Sequence, residues 1–177
     1  MPSYVAFLRA INLGPTRKFP KAAIAAAVES TGATGVETYI NTGNVRLTTT
    51  LRSRAKVEAT LEKAFAADRG FEVPTIVFTP AELRDVVADV DELWAEHGEP
   101  LAHAVTLFKQ PPAADAVAAV ESLDLADRVV VRGRAAHVML LTNFHESKLL
   151  ASKQFAALGQ GTARYAKVLR EVTNRWC

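Results

Sequence analysis

The chain has 177 residues, 49% hydrophobic and 23% charged, with a formal net charge of +2 at pH 7. That length suits one compact domain or two small lobes with a real core, and the composition excludes a disordered chain. No run approaches 18 consecutive apolar residues, so no membrane span is expected. The only cysteine, Cys177, rules out an internal disulfide and agrees with a reducing, cytoplasmic setting.

"YVAFLRA" (4–10) reads as a first strand rather than a signal segment, because a basic start and a cleavage-like site are missing. A helix is predicted over 19–32, ended by Gly32, then two β-prone runs, 36–40 and 45–50. Ser53 is placed to cap a helix running to about Asp68, with Val57, Leu61 and Phe65 on its buried face. A strand follows at 73–79. Thr79-Pro80-Ala81-Glu82 then combines an N-cap threonine, a first-turn proline and a capping-box glutamate, opening a helix that Gly98 and Pro100 close.

The second half spells the same order. Strand 102–108, helix 112–123, a hairpin of 127–133 and 136–142, helix 146–159 and an extended piece at 161–164 precede a final helix bearing Tyr165, Val168, Leu169, Val172 and Trp176. Each half therefore reads β-α-β-β-α-β, which predicts an α+β fold of two ferredoxin-like subdomains with an extra C-terminal helix. The expected division is an N-terminal lobe (1–79), an acidic connecting helix (80–100) and a C-terminal lobe (101–177). Charge follows it: +4, −6 and +4 respectively. The connector is either a solvated acidic face or a counterweight to two anion-attracting lobes.

In this topology strands one and three are central neighbours, which brings "LRAIN" (8–12) beside "NTGN" (41–44). Arg9, Asn12, Asn41, Thr42, Gly43 and Asn44 then gather at one end of the sheet, with Arg17 and Lys18 in the adjoining loop. A guanidinium, amides, a hydroxyl and a glycine-permitted close approach suit a planar anion such as a carboxylate, phosphate or sugar-phosphate edge. The competing explanation is turn chemistry, in which the asparagines bond their own backbone.

Three stretches carry a resemblance. "FLRAINLGP", "TYINTGNVRL" and "TARYAKVL" match in order and spacing the motifs LLRGINVGG, TYIQSGNVVF and TARNWNTV of a bacterial family catalogued as domain of unknown function 1697, which this chain resembles from residue 4 to the final helix. The resemblance implies two ferredoxin-like subdomains and no established activity. The shared positions are Arg9, Ile11, Asn12, Gly14, Tyr39, Gly43 and Asn44, with Ser147-Lys148-Leu149 and Thr162-Ala163-Arg164. Ala10 and Pro15 stand where glycine is usual, Asn41-Thr42 replace Gln-Ser, and Tyr165-Ala166 replace Asn-Trp.

Other chemistries find little support. His97, His103, His137 and His145 lack metal-ligand spacing, and His103 and His137 are expected at opposite ends of neighbouring strands. No phosphate loop or dinucleotide fingerprint is present, and Gly159 with Gly161 suits a helix end. Ser147-Lys148 and Ser152-Lys153 are sequence neighbours that do not face each other on a helix. No metal or cofactor is expected. Lys148, near a predicted helix start, and Arg164 are secondary anion-site candidates. Three functions remain: a small-anion binder or enzyme using the rim, a nucleic-acid binder using both basic lobes, and an interaction or structural module. The second is weakened because "VRLTTT" has no aromatic on which bases could stack.

Overall fold

The computed structural model describes residues 1–177, which divide into two compact units: Met1–Arg84 with Val172–Cys177, and Asp85–Glu171. The first unit runs β1 (Ser3–Leu8), α1 (Lys21–Glu29), β2 (Thr34–Tyr39), β3 (Asn44–Thr48), α2 (Arg54–Arg69) and β4 (Thr75–Phe78). Its sheet is antiparallel in the order β2-β3-β1-β4, with Phe7 opposite Asn44 and Leu8 opposite Thr75.

Period-two patterning explains the core. Tyr4, Ala6 and Leu8 on β1 share a buried face with Val45, Leu47 and Val77, against Ile24 and Val28 of α1 and Val57, Leu61 and Phe65 of α2. Phe65 meets Phe19 edge-to-face at 5.3 Å, and burying one such ring contributes on the order of 2–3 kcal/mol. The Ser53 hydroxyl caps α2 by accepting from the Lys56 N–H, and Gly70 ends it in the left-handed region.

Two α2 glutamates do something else. Glu62 accepts the Thr75 N–H at 2.8 Å and Glu58 accepts the Val77 N–H at 3.0 Å, so carboxylates take the outward amides of β4, an edge strand.

The capping box forms as the sequence predicts. Thr79 Oγ1 accepts from the Glu82 N–H, while Glu82 accepts from the Thr79 N–H at 2.8 Å, opening α3 (Pro80–His97). The second unit continues with β5 (Ala102–Phe108), α4 (Ala114–Glu121), β6 (Arg128–Arg132), β7 (Ala135–Leu140), a 3-10 turn (Phe144–Glu146), α5 (Lys153–Ala156), β8 (Gly161–Tyr165) and α6 (Ala166–Trp176). The strand order is β6-β7-β5-β8, all antiparallel, and Phe108, Ala136, Val138 and Leu140 form its core with Val120, Val129, Leu149 and Leu158. No helix is long and apolar enough to cross a membrane.

One expectation is corrected. Residues 146–159 form no continuous helix: they are a 3-10 end, a turn and the four residues of α5. Ser147 and Ser152 each start a turn of their own, accepting from the Leu150 and Phe155 N–H groups, and this local bonding competes with one helical ladder. The acidic stretch, exposed at Asp91 and Glu92, also makes ion pairs. Asp89 and Glu92 both meet Arg132, at 2.6 and 2.8 Å, and Asp91 meets Arg170 at 2.5 Å.

Candidate functional site

The end of β1 and the turn between β2 and β3 are tied by backbone first. The Leu8 N–H donates to the Gly43 carbonyl at 2.8 Å, and the Arg9 N–H to Pro74 at 2.9 Å. Gly43 is obligatory here: its φ is +78°, and a Cβ would stand 2.7 Å from the Leu8 Cβ and 2.9 Å from the Ile11 Cδ1.

Asparagine side chains then close the loops. Asn12 donates through Nδ2 to the carbonyls of Asn41 (2.7 Å) and Phe19 (3.2 Å), and its Oδ1 accepts from the Phe19 N–H at 2.8 Å. Asn44 is fully buried and donates to the Tyr39 carbonyl at 2.9 Å and to Thr42 Oγ1 at 3.0 Å. Arg17 is a structural clamp that sequence reasoning put in the right loop without its role. Its Nε donates to the Ala10 carbonyl and its Nη2 to the Glu72 carbonyl, each at 2.6 Å, while the guanidinium lies 4.5 Å from the centre of the Phe71 ring.

The remaining members differ in exposure. Asn41, Thr42 and Lys18 are exposed, and Arg9 is half-buried. Three non-glycine residues adopt positive φ, Ala10 (+56°), Asn12 (+55°) and Ile40 (+50°), and all three lie in these two loops. Left-handed backbone costs an ordinary residue roughly 1–2 kcal/mol. The sequence signals for it were Ala10, standing where the resembled motif has glycine, and Asn12, a residue type that tolerates this region.

The secondary candidates stand apart in the second unit. Lys148 is exposed in the turn before α5, not at a helix start. Arg164, on β8, is 7% exposed and donates through Nη1 to Thr162 Oγ1 and to the Ala163 carbonyl, and burial lowers its pKa to about 10. Ser147, beside Lys148, donates to Asp127, whose carboxylate also accepts from the Leu141 and Thr142 N–H groups. Asp127 therefore organises the 141–147 segment.

The histidines need a correction. His103 and His137 do not lie at opposite ends: His103 Nε2 is 3.2 Å from His137 Nδ1, and both rings are buried. The register pairs His103 with Met139 and Val105 with His137, so they are diagonal neighbours on one face, an offset of two residues that long rings easily span. No group of three or more His, Cys, Asp or Glu is arranged around them to hold an ion.

Comparison with known proteins adds a fold and a family. No curated protein matches the chain. A solved structure described as conserved bacterial protein SP0830 from Streptococcus pneumoniae is similar over 99% of this chain and 98% of its own, with a TM-score of 0.77 at 21% identity. At that identity the likeness is one of fold. Residues 1–137, which hold both the "FLRAINLGP" and "TYINTGNVRL" motifs, match the family described as "Protein of unknown function (DUF1697)". The chain belongs to that family.

Proposed function

We propose that the rim at the end of β1 binds a small anionic ligand, a carboxylate, phosphate or sugar-phosphate edge. Arg9 and Lys18 supply the charge, and the exposed Asn41 and Thr42 supply polar contacts around Gly43. Asn12 and Asn44 are positioning residues, since their bonds hold the two loops rather than face outward. The observation that carries this is that the non-glycine residues with left-handed backbone, Ala10, Asn12 and Ile40, all lie in these loops. Strain of this kind gathers at sites that must be preorganised.

A second reading has its own observation: the same asparagine bonds would suffice for a hairpin that only braces the fold. A thermal-shift panel of anionic metabolites, nucleotides and short RNAs on wild type and Arg9→Ala separates the two. A ligand at 100 times its Kd adds about 2.7 kcal/mol, several degrees here. A hit lost in Arg9→Ala supports the rim. No stabilisation by any compound leaves the bracing role. A hit by RNA alone, weakening steeply with salt, would mean a nucleic-acid surface instead.

The same reading takes each unit as a ferredoxin-like lobe, supported by the β2-β3-β1-β4 and β6-β7-β5-β8 orders. A cytoplasmic setting is part of it, supported by the lone thiol of Cys177.

A further inference from the structure

The face of the second sheet opposite its Phe108, Ala136, Val138 and Leu140 core carries a buried polar chain that the rim does not use. Trp94 Nε1 on α3 donates to His103 Nδ1 on β5 at 2.8 Å. His103 Nε2 lies 3.2 Å from His137 Nδ1 on β7, and His137 Nε2 lies 3.7 Å from Asp89 Oδ2, back on α3. His137 is 0% exposed, and its Nε2 has no hydrogen-bond partner.

Donor rules dictate the protonation. An indole N–H can only donate, so His103 Nδ1 must carry a lone pair. Neutral His103 then holds its proton on Nε2 and donates it to His137. That requires a lone pair on His137 Nδ1 and puts the second proton on His137 Nε2, facing Asp89. The order Trp94→His103→His137 is thus directional, its last N–H turned toward Asp89 without bonding it, and both imidazoles are neutral.

We propose that this chain is an acid-operated latch, fastening α3 to β5 and β7 while both histidines are neutral and shifting its anchor from Trp94 to Asp89 when one of them takes a proton. A proton added to His103 must go on Nδ1 and confront the indole N–H. One added to His137 must go on Nδ1 and confront the His103 N–H. Either sets two donors face to face. An imidazolium at His137 gains an alternative partner in Asp89, closing the 3.7 Å gap.

The surrounding charges set the threshold. Arg170 on α6 lies 4.9 Å from the centre of the Trp94 ring, and Arg132 on β6 shares Asp89 with His137. Both cations oppose a further positive charge. Asp91 and Glu92 on α3 are already engaged, by Arg170 and Arg132 respectively. Arg164 on β8 is buried opposite Val105, on the His103 side of the sheet. Burial, then His137 and Arg170, lower the His103 pKa to about 4; burial, then Arg132, lower that of His137 to about 4. Protons can arrive through a cavity of about 470 Å³ lined by Trp94, Glu99, Ala102, His103, Tyr165 and Lys167. Protonation of His103 would turn the Trp94 N–H loose toward that cavity.

The linkage has a definite sign. An unfolded chain takes up these protons near pH 6.5, while the folded one refuses them until about pH 4. Their contribution to stability is complete above 6.5 and is lost as pH falls toward 4.

The first test needs no mutation. Long-range ¹H–¹⁵N spectra of the full chain at pH 7.5 are expected to show both histidines as Nε2–H tautomers. On acidification both should titrate far below the ordinary histidine value, with the Trp94 indole resonance moving in step with His103. An Nδ1–H tautomer at either ring, or an indole signal indifferent to the titration, overturns the latch. Trp94→Phe keeps an aromatic ring but removes the N–H, so the His103 midpoint should rise. An unchanged midpoint in a folded variant would reduce Trp94 to packing and also overturn it.

Discussion

Replacing Gly43 by alanine tests how closely the 41–44 turn is fitted to β1. Two costs can be worked separately. The backbone sits at φ +78°, where an L side chain loses about 1–2 kcal/mol. The new methyl would lie 2.7 Å from the Leu8 Cβ and 2.9 Å from the Ile11 Cδ1. Ile11 Cδ1 is the end of a flexible side chain and can turn away. Leu8 Cβ cannot move without β1, whose Leu8 N–H is itself bonded to the Gly43 carbonyl at 2.8 Å. Overpacking of this kind costs about 1–3 kcal/mol, giving a total of about 2–5 kcal/mol. Urea unfolding followed by circular dichroism measures it, with Gly70→Ala as the control. Gly70 has a similar φ, +73°, but nothing within 4 Å of its Cβ position, so it should lose only the backbone share. Equal losses at the two positions would refute the close-approach argument.

Two other substitutions probe backbone and turn. Ala10→Gly relieves a φ of +56° and, after the extra flexibility of unfolded glycine is subtracted, should gain about 0.5–1 kcal/mol; a lower melting temperature would show that the left-handed angle carries no strain. Asp127→Asn turns an acceptor-only group into one that must face at least one donor with its own N–H, a loss of about 1–3 kcal/mol by urea unfolding. Burial raises the Asp127 pKa, but the Ser147, Leu141 and Thr142 donors outweigh it and hold the group below its ordinary 3.8, so its stabilisation is full above that value and disappears as pH falls below it. The variant should lack that part of the acid limb, and an unchanged limb would place the pH dependence elsewhere.

Local chemistry was the legible part of this chain. The Thr79–Glu82 box and the Ser53 cap are signals whose partners lie three residues away, and both form. The strand expected at 102–108 coincides with β5 to the residue. What stayed hidden depends on distant register or on side-chain competition. Ser147 breaks the expected 146–159 helix because Asp127, twenty positions earlier in the chain, accepts a hydrogen bond from its hydroxyl. The His103–His137 contact turns on a two-residue offset between strands, finer than strand ends can be judged from sequence. The rim was legible as a place, since β1 pairs with β3. The destination of each amide was not: Asn12 reaches Phe19 and Asn41 only once the loop has closed.

The two glutamates on α2 have a consequence beyond the fold of one molecule. An edge strand with vacant amides is a template on which another chain can add a strand, the first step toward fibrous association. On β4 the outward amides of Thr75 and Val77 are already spoken for by Glu62 and Glu58. On β6, the edge of the other sheet, Glu121 likewise accepts the Val131 N–H at 2.7 Å. An incoming strand would have to displace carboxylates held from the chain's own helices, so these acids act as stoppers on one edge of each sheet.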